Sequence, residues 1–160
     1  MTGEASMPTV PKAFVLVFLI FLFFCLMSRI DFVINGMLYN YGLRFSYEWA
    51  LGYWITYVLA FVVFSITISF TYWYSSNKTA KDLRFSIALF VTINALVVGG
   101  LQDIMFYVFW AGGLPPNNVV WWWTPWAYIL GTWTSLHQIG FAALMICGIL
   151  FSWILAVKKK

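Results

Sequence analysis

Four polar side chains interrupt two strongly apolar segments in the second half of this chain. They are Gln102 and Asp103 in the first segment and His137 and Gln138 in the second. An ionisable residue inside an apolar segment of membrane-spanning length is costly, so it is by default a hypothesis about function. A carboxylate beside an imidazole could relay an ion or a proton, or could orient the imidazole as a general base.

Asp103 and His137 are predicted to lie at similar depth in a membrane. Asp103 precedes the end of its segment by about nine residues, or roughly 13 Å, and His137 follows the start of its segment by about eleven residues, or roughly 17 Å. We therefore expect these two side chains to interact directly or through one water. Tyr107 and Thr134 lie one helical turn away and extend the polar face of each helix. The predicted ligand or ion pocket thus comprises Gln102, Asp103, Tyr107, Thr134, His137 and Gln138.

The same polar groups could instead have a structural role. Side chains that hydrogen-bond across membrane helices stabilise their association by about 0.6 kcal/mol on average. An Asp–His pair with two amides could hold two helices together in this way, and the sequence leaves both roles open.

Four further charged residues are predicted to form interfacial ion pairs: Arg29, Asp31, Arg44 and Glu48. Ion pairs at a water interface are common and weak, and a substrate clamp is the alternative. The run Trp121 to Trp123 is typical of the aromatic belt at a membrane interface. It could instead line a site for a hydrophobic or cationic ligand.

The composition predicts an integral membrane protein in contact with the lipid bilayer. Hydrophobic residues make up 63% of the 160 residues and charged residues only 9%, whereas soluble domains are about 45–50% apolar and about 25% charged. The net charge of +4 needs no nucleic-acid partner to explain it, because membrane proteins carry Lys and Arg on their cytoplasmic loops. One histidine and the isolated Cys25 and Cys147 predict no metal site, and the sequence indicates no particular cofactor.

Four apolar segments predict an all-α fold, a bundle of four transmembrane helices with antiparallel neighbours. The spans are expected at about 12–35, 49–74, 85–111 and 126–157, in a single domain covering residues 1–160. Each is long enough for a bilayer core, which requires about 20 residues. Prolines restrict the backbone between the last two spans, so 112–125 is predicted to be a compact turn. The pair Gly99–Gly100 is expected to give a flat helix surface for packing.

Positive charge predicts the orientation in the cell membrane. Two positive residues, Arg29 and Arg44, lie on one side of the predicted bundle, and the other side holds Lys12, Lys78, Lys81, Arg84, Lys158, Lys159 and Lys160. Lys and Arg are enriched on the cytoplasmic side, so both termini and the loop near residue 80 are expected in the cytoplasm.

Three classes of function fit these observations. The preferred interpretation is a non-catalytic subunit of a larger membrane complex, bound to other membrane subunits or to copies of itself, with a polar pocket in the outer half of the bundle. The second is a small homo-oligomeric transporter or channel that uses Asp103 and His137 as an ion or proton relay. The third is a membrane enzyme acting on a lipid or small apolar substrate, although the residues identify no nucleophile.

Overall fold

The structure is a computed structural model that describes residues 12–43 and 47–158, with side chains described over 15–43 and 51–158. Every regular element within these residues is helical, and none of them is in a strand. The all-α class predicted from the sequence is confirmed. Arg44 lies outside the described residues, and of Glu48 only the backbone is described.

Six α-helices and one π-helical turn make up the described chain. They are α1 (Lys12–Asn40), α2 (Tyr47–Tyr74), α3 (Ala80–Val98), α4 (Leu101–Met105), the π-helical turn Phe106–Trp110, α5 (Pro125–Leu130) and α6 (Ser135–Val157). Thr79 begins α3 with a capping box, in which its hydroxyl accepts from the Asp82 N–H and Asp82 accepts from the Thr79 N–H.

Three helices are long and apolar enough to cross a membrane: Val15–Asn40, Leu51–Tyr74 and Ser135–Val157. A fourth span results if Ala80–Val98 and Leu101–Trp110 count as one broken helix, since the two parts meet at a bend of 58°. These lengths and compositions support a multi-pass membrane protein.

The first helix runs five residues past the boundary expected at Asn35. The Asn35 side chain donates through Nδ2 to the Asp31 carbonyl at 3.1 Å, one turn back, and so stays within the helix instead of ending it. The following Gly36 is also helical. Asp31 therefore lies nine residues before the end of α1, which is about 13 Å along the axis.

The third predicted span is broken at the glycine pair expected to serve helix packing. Gly100 has φ +65° and ψ +33°, a left-handed conformation that ends helices and that glycine adopts without penalty. The Gly100 N–H donates to the Val97 carbonyl at 2.9 Å, which closes the last turn of α3. α4 then starts in a new direction.

The fourth predicted span is also interrupted. α5 ends at Leu130 and is followed by Gly131, which has φ +84°, and α6 begins only at Ser135. His137 is therefore in the first turn of α6, and not eleven residues inside a continuous span as the sequence analysis expected.

Hydrogen bonds between helices show which residues lie side by side. Ser86 Oγ donates to the Ser69 carbonyl at 2.7 Å, and Asn94 Nδ2 donates to Ser65 Oγ at 2.8 Å, so both join α3 to α2. α3 is joined to α6 by the Trp153 indole N–H, which donates to Thr92 Oγ1 at 2.9 Å. The buried core combines residues of α1 to α4: Ile20, Phe24, Tyr57, Phe61, Leu89, Ile93, Val97 and Met105.

Candidate functional site

Asp31 is the centre of a polar cluster that joins three separate elements. The Tyr53 hydroxyl, on α2, donates to one carboxylate oxygen of Asp31, and the Gln102 side-chain amide, on α4, donates to the other. Gln102 is buried, and its Oε1 has no hydrogen-bond partner among the described residues. A charged acceptor strengthens hydrogen bonds from neutral donors, so Asp31 holds α2 and α4 against α1.

A cavity of about 180 Å³ opens beside this cluster. Its described lining includes two carboxylates and six aromatic rings, and it contains no Lys, Arg or His side chain. The lining residues are Asp31, Ile34, Asn35, Tyr53, Trp54, Asp103, Phe106, Tyr107, Trp122 and Trp123. These walls combine two carboxyl groups with a mostly apolar surface, a combination that suits a small cation.

Asp103 is the second carboxylate, and it comes from the first turn of α4, just after the helix break. Within the described part of the chain, its carboxylate accepts no hydrogen bond, unlike that of Asp31. Asp103 and Trp54 also line a second cavity of about 180 Å³, whose walls include Gly100, Trp126 and Gln138. Asp103 thus contacts both cavities, and its position depends on the left-handed turn at Gly100.

The tryptophan run covers the cavity. The Trp54 indole N–H donates to the Trp123 carbonyl at 2.6 Å, which fixes the run to α2. Trp121 is fully buried, stacks on Trp123 with ring centroids 5.6 Å apart, and donates its indole N–H to Ser135 Oγ at 3.1 Å. Trp122, by contrast, is 46% exposed and lines the cavity.

Two further hydrogen bonds tie the turn 112–125 to the start of α6. Ser135 Oγ donates to the Pro115 carbonyl at 2.5 Å, and Asn117 Oδ1 accepts from the Leu136 N–H at 3.1 Å. Both bonds attach the first half of the segment to α6.

No hydrogen bond joins Asp103 and His137 among the described residues, and of the two only Asp103 lines the cavity. Thr134 and His137 form a capping box at the start of α6, where the Thr134 N–H donates to His137 Nδ1 at 3.3 Å and the Thr134 hydroxyl lies 2.9 Å from the same nitrogen. The exposed His137 ring stacks on Trp133 with centroids 5.7 Å apart. Thr134 and His137 thus cap the start of α6, and neither lines the cavity beside Asp31.

Gln138 clamps the helix break. Its Nε2 donates to the Gly99 carbonyl at 2.6 Å, and its Oε1 accepts from the Trp133 indole N–H at 2.7 Å. Gln138 is fully buried, and the Gly99 carbonyl at the end of α3 needs a partner of this kind because helix ends lack intrahelical ones. Of the predicted pocket residues, Asp103 and Tyr107 line the cavity and Gln102 supports Asp31, whereas Gln138 lines only the second cavity.

The predicted interfacial ion pairs take a different form where side chains are described. The Arg29 guanidinium lies over the Trp110 ring at 4.9 Å and near the Phe32 ring at 5.4 Å. Both Asp31 oxygens accept from neutral donors. Arg44 and the Glu48 side chain are outside the described residues.

Asp31 is the site residue that the sequence analysis placed at the membrane interface. Asp31 could have been identified from the sequence if Asn35 had been treated as helical. The first helix would then have extended further, and Asp31 would have been predicted well inside it. Tyr53 and Trp54 were not among the predicted site residues. The Tyr53 hydroxyl bonds Asp31, and the Trp54 indole bonds the tryptophan run.

The described residues contain no cluster of three or more His, Cys, Asp or Glu side chains of the kind that holds a metal ion. The oxygen atoms at the cavity that could bind a metal ion belong to the two carboxyl groups, the tyrosine hydroxyls and an asparagine amide. Tyr57, whose ring stacks on Tyr53 with centroids 5.7 Å apart, has a buried hydroxyl without a hydrogen-bond partner in the described chain.

Comparison with known proteins gives no family to set beside this geometry: no family model, no curated protein and no solved structure matches the chain.

Proposed function

We propose that the chain is a multi-pass cell-membrane protein that binds a small cation between Asp31 and Asp103 and moves it across the bilayer. The observation that carries this proposal is the cavity itself, where two carboxylates and several aromatic rings meet without a basic side chain among the described lining residues. Carboxylates within membrane segments are costly and face an interior partner or a pathway. A cation is the partner that such a cavity would stabilise.

The break at Gly99–Gly100 supports transport over static binding. Secondary transporters bind their substrates near the midplane, beside helices that are interrupted there. Here the interruption lies directly before Gln102 and Asp103, and π-helical turns such as Phe106–Trp110 are frequent at functional sites. Asp103 contacts both cavities, so a cation bound there has two neighbouring compartments available.

The proposal includes four spans with antiparallel neighbours, counting α3, α4 and the π-helical turn as one broken span. Support comes from two contacts between α3 and the end of α6. Thr92 bonds Trp153, and the earlier residue Arg84 bonds the carbonyl of the later residue Lys158, so the two helices run in opposite directions. With both termini cytoplasmic, as the positive charges favour, the cavity lies toward the outer side.

Assembly with other membrane subunits, or with copies of the same chain, is the second proposal. In the most apolar 18-residue stretch of α6, 6% of the residues are buried within the chain, whereas the share is 17% in the corresponding stretches of α1 and α2. α6 is thus the least covered of these three helices and has a surface available to lipid or to a partner. Co-purification in a mild detergent, followed by mass measurement of the intact assembly, tests this proposal. A monomer without bound subunits would contradict it.

A membrane enzyme has less support from the geometry. The general base expected in that interpretation was His137, oriented by Asp103. His137 instead caps α6.

Thermal stability of the purified protein tests cation binding. A ligand at one hundred times its Kd stabilises the folded state by about 2.7 kcal/mol, so Tm should rise by roughly 5–10 °C at about 2–4 °C per kcal/mol. Na⁺, K⁺, ammonium and alkylammonium chlorides are compared at equal ionic strength, so that each salt serves as a reference for the others.

Carboxylate variants locate the effect. Asp31→Asn and Asp103→Asn should each abolish the cation-dependent rise in Tm. The matched control is Asp82→Asn, which alters a carboxylate in the capping box of α3 that does not line the cavity; it should lower Tm while keeping the cation response. A rise in Tm that persists in both cavity variants would overturn the proposed site.

A further inference from the structure

The walls of the Asp31–Asp103 cavity are mainly aromatic. Tyr53, Trp54, Tyr107 and Trp123 supply rings, and Asp103 supplies a carboxylate without a hydrogen-bond partner among the described residues. The face of an aromatic ring is electron-rich and attracts a cation within about 6 Å, most strongly when the cation sheds its water. Rings around a carboxylate therefore select for cations that give up hydration easily.

These rings are held in place before any ligand arrives. Trp54 is fixed by its hydrogen bond to the Trp123 carbonyl, Trp123 stacks on the buried Trp121, and the ring centroid of Tyr107 lies 6.0 Å from that of Trp123. A site whose groups are already ordered loses less conformational entropy on binding. The arrangement is thus a preformed wall.

The donor set suits a metal ion poorly. Ca²⁺ takes about six to eight oxygen ligands, whereas each Asp31 oxygen already accepts a hydrogen bond from a neutral side chain. Asp103 is the remaining carboxylate, and most of the other lining groups are rings.

The volume sets the size of the ligand. The cavity holds about 180 Å³, while an engineered cavity of about 150 Å³ accommodates one benzene molecule of six carbon atoms. By the same comparison, the space has room for a ligand of up to about seven non-hydrogen atoms.

We propose that the ligand of the cavity is a small alkylammonium ion, an inference that rests on the proposed cation-binding function. Its ammonium group donates hydrogen bonds to the Asp103 carboxylate and neutralises that charge. Its alkyl groups contact the faces of Trp54, Tyr107 and Trp123. Asp31 is a positioning residue as well, because it binds the side chains of Tyr53 and Gln102.

A matched pair of probes tests this ligand class on the full-length protein in detergent. tert-Butylammonium and tert-butanol have nearly the same shape and differ in charge, and titration of the intrinsic tryptophan fluorescence measures each Kd. We expect tert-butylammonium to bind at least ten-fold more tightly than tert-butanol and than Na⁺ or K⁺. Equal binding of the alcohol would overturn both the ligand class and the cation site.

The other outcomes separate the two proposals. If Na⁺ or K⁺ raises Tm in an Asp103-dependent way but tert-butylammonium does not bind, the alkylammonium inference is wrong and the cation site stands. If no cation binds, both are wrong.

Tyr107 variants test the role of the rings. Tyr107→Phe keeps an aromatic face and should bind tert-butylammonium like the wild type, whereas Tyr107→Leu should bind it roughly two- to thirty-fold more weakly, the range expected for a cation–π contact. The two variants differ in the presence of an aromatic ring. A cooperative melting curve is the control that each variant is folded. Wild-type affinity in a folded Tyr107→Leu protein would contradict the aromatic contact.

Discussion

Single indole groups connect the tryptophan run to the rest of the molecule. Trp121 combines full burial, a stacked neighbour and a hydrogen bond from its N–H to Ser135 Oγ. Trp122, its neighbour in sequence, has almost half of its surface exposed and contributes one wall of the cavity. Two adjacent residues of one type thus have different roles, which substitution can separate.

Replacing Trp121 by Phe should destabilise the protein, because the change removes a buried hydrogen bond and part of a packed ring. We expect a loss of about 1–3 kcal/mol in the free energy of unfolding. Trp122→Phe is the control and should stay within about 0.5 kcal/mol of the wild type. Reversible unfolding in detergent, followed by circular dichroism, measures both. Equal losses would mean that the burial of Trp121 does not matter for stability.

The predicted polar residues have two kinds of role. Some support the carboxyl groups of the cavity, and others hydrogen-bond to groups at the ends of helices. Gln102 acts through Asp31, whereas Gln138 and His137 satisfy backbone and side-chain groups at the end of α3 and the start of α6. Sequence reasoning grouped all of them because it could see their spacing but not the two helix interruptions that reorient them.

At the scale of elements, the junction between α3 and α4 determines the position of Asp103. Gly100 is in a left-handed conformation, and a Cβ added there would overlap the side-chain amide of Gln138. That amide cannot easily move, since it donates to the Gly99 carbonyl while its oxygen accepts from Trp133. Glycine is therefore required at 100 both by backbone conformation and by the available space.

Gly100→Ala should lower the free energy of unfolding by at least about 1–2 kcal/mol, the cost of a left-handed conformation for a residue with a side chain. Gly140→Ala is a matched control in α6, where a Cβ meets no atom within 4 Å. Alanine there should stabilise the helix by about 0.5–1 kcal/mol. Unfolding curves of the two variants give the comparison, and a neutral Gly100→Ala would show that the junction is not built as described.

The sequence predicted the elements better than their ends. Hydrophobic length alone identified four apolar segments, but it could not distinguish a glycine pair that flattens a helix from one that ends it. Gly99–Gly100 was therefore assigned to packing, and Asn35 was taken as a boundary although its side chain bonds within the helix. The first error concerned the helix break before Asp103, and the second placed Asp31 too near the end of its helix. Because of both, the sequence analysis did not assign Asp31 and Asp103 to one site.

At the scale of the whole molecule, the proposed orientation places the cavity toward the outside of the cell. The cavity lies between the latter part of α1, the start of α2 and the turn that contains the tryptophans. The charged segment near residue 80 is at the opposite ends of α2 and α3. The orientation of the protein therefore determines from which side of the membrane the ligand enters the cavity.

Cysteine labelling tests this orientation. Asn77→Cys and Asn118→Cys are made in a background with Cys25→Ala and Cys147→Ala. Asn118 is used because the neighbouring Asn117 bonds the start of α6. A membrane-impermeant maleimide should label residue 118 in intact cells and residue 77 only after permeabilisation. The reverse pattern would invert the protein, and labelling of both from outside would contradict four spans.

The negative charge that Asp31 and Asp103 give to one cavity is tested most directly by the rate of thiol modification at Ile34→Cys in the same cysteine-free background. Ile34 lines the cavity, and the neighbouring Val33, of similar exposure, is not among its described lining residues. An ethylammonium-bearing methanethiosulfonate should react with residue 34 roughly ten-fold or more faster than its sulfonate counterpart, because an anionic cleft concentrates cations. This ratio should fall toward the value for Val33→Cys when Asp31→Asn or Asp103→Asn is added. A ratio near one at residue 34, or one unchanged by both carboxylate substitutions, would contradict the anionic cavity.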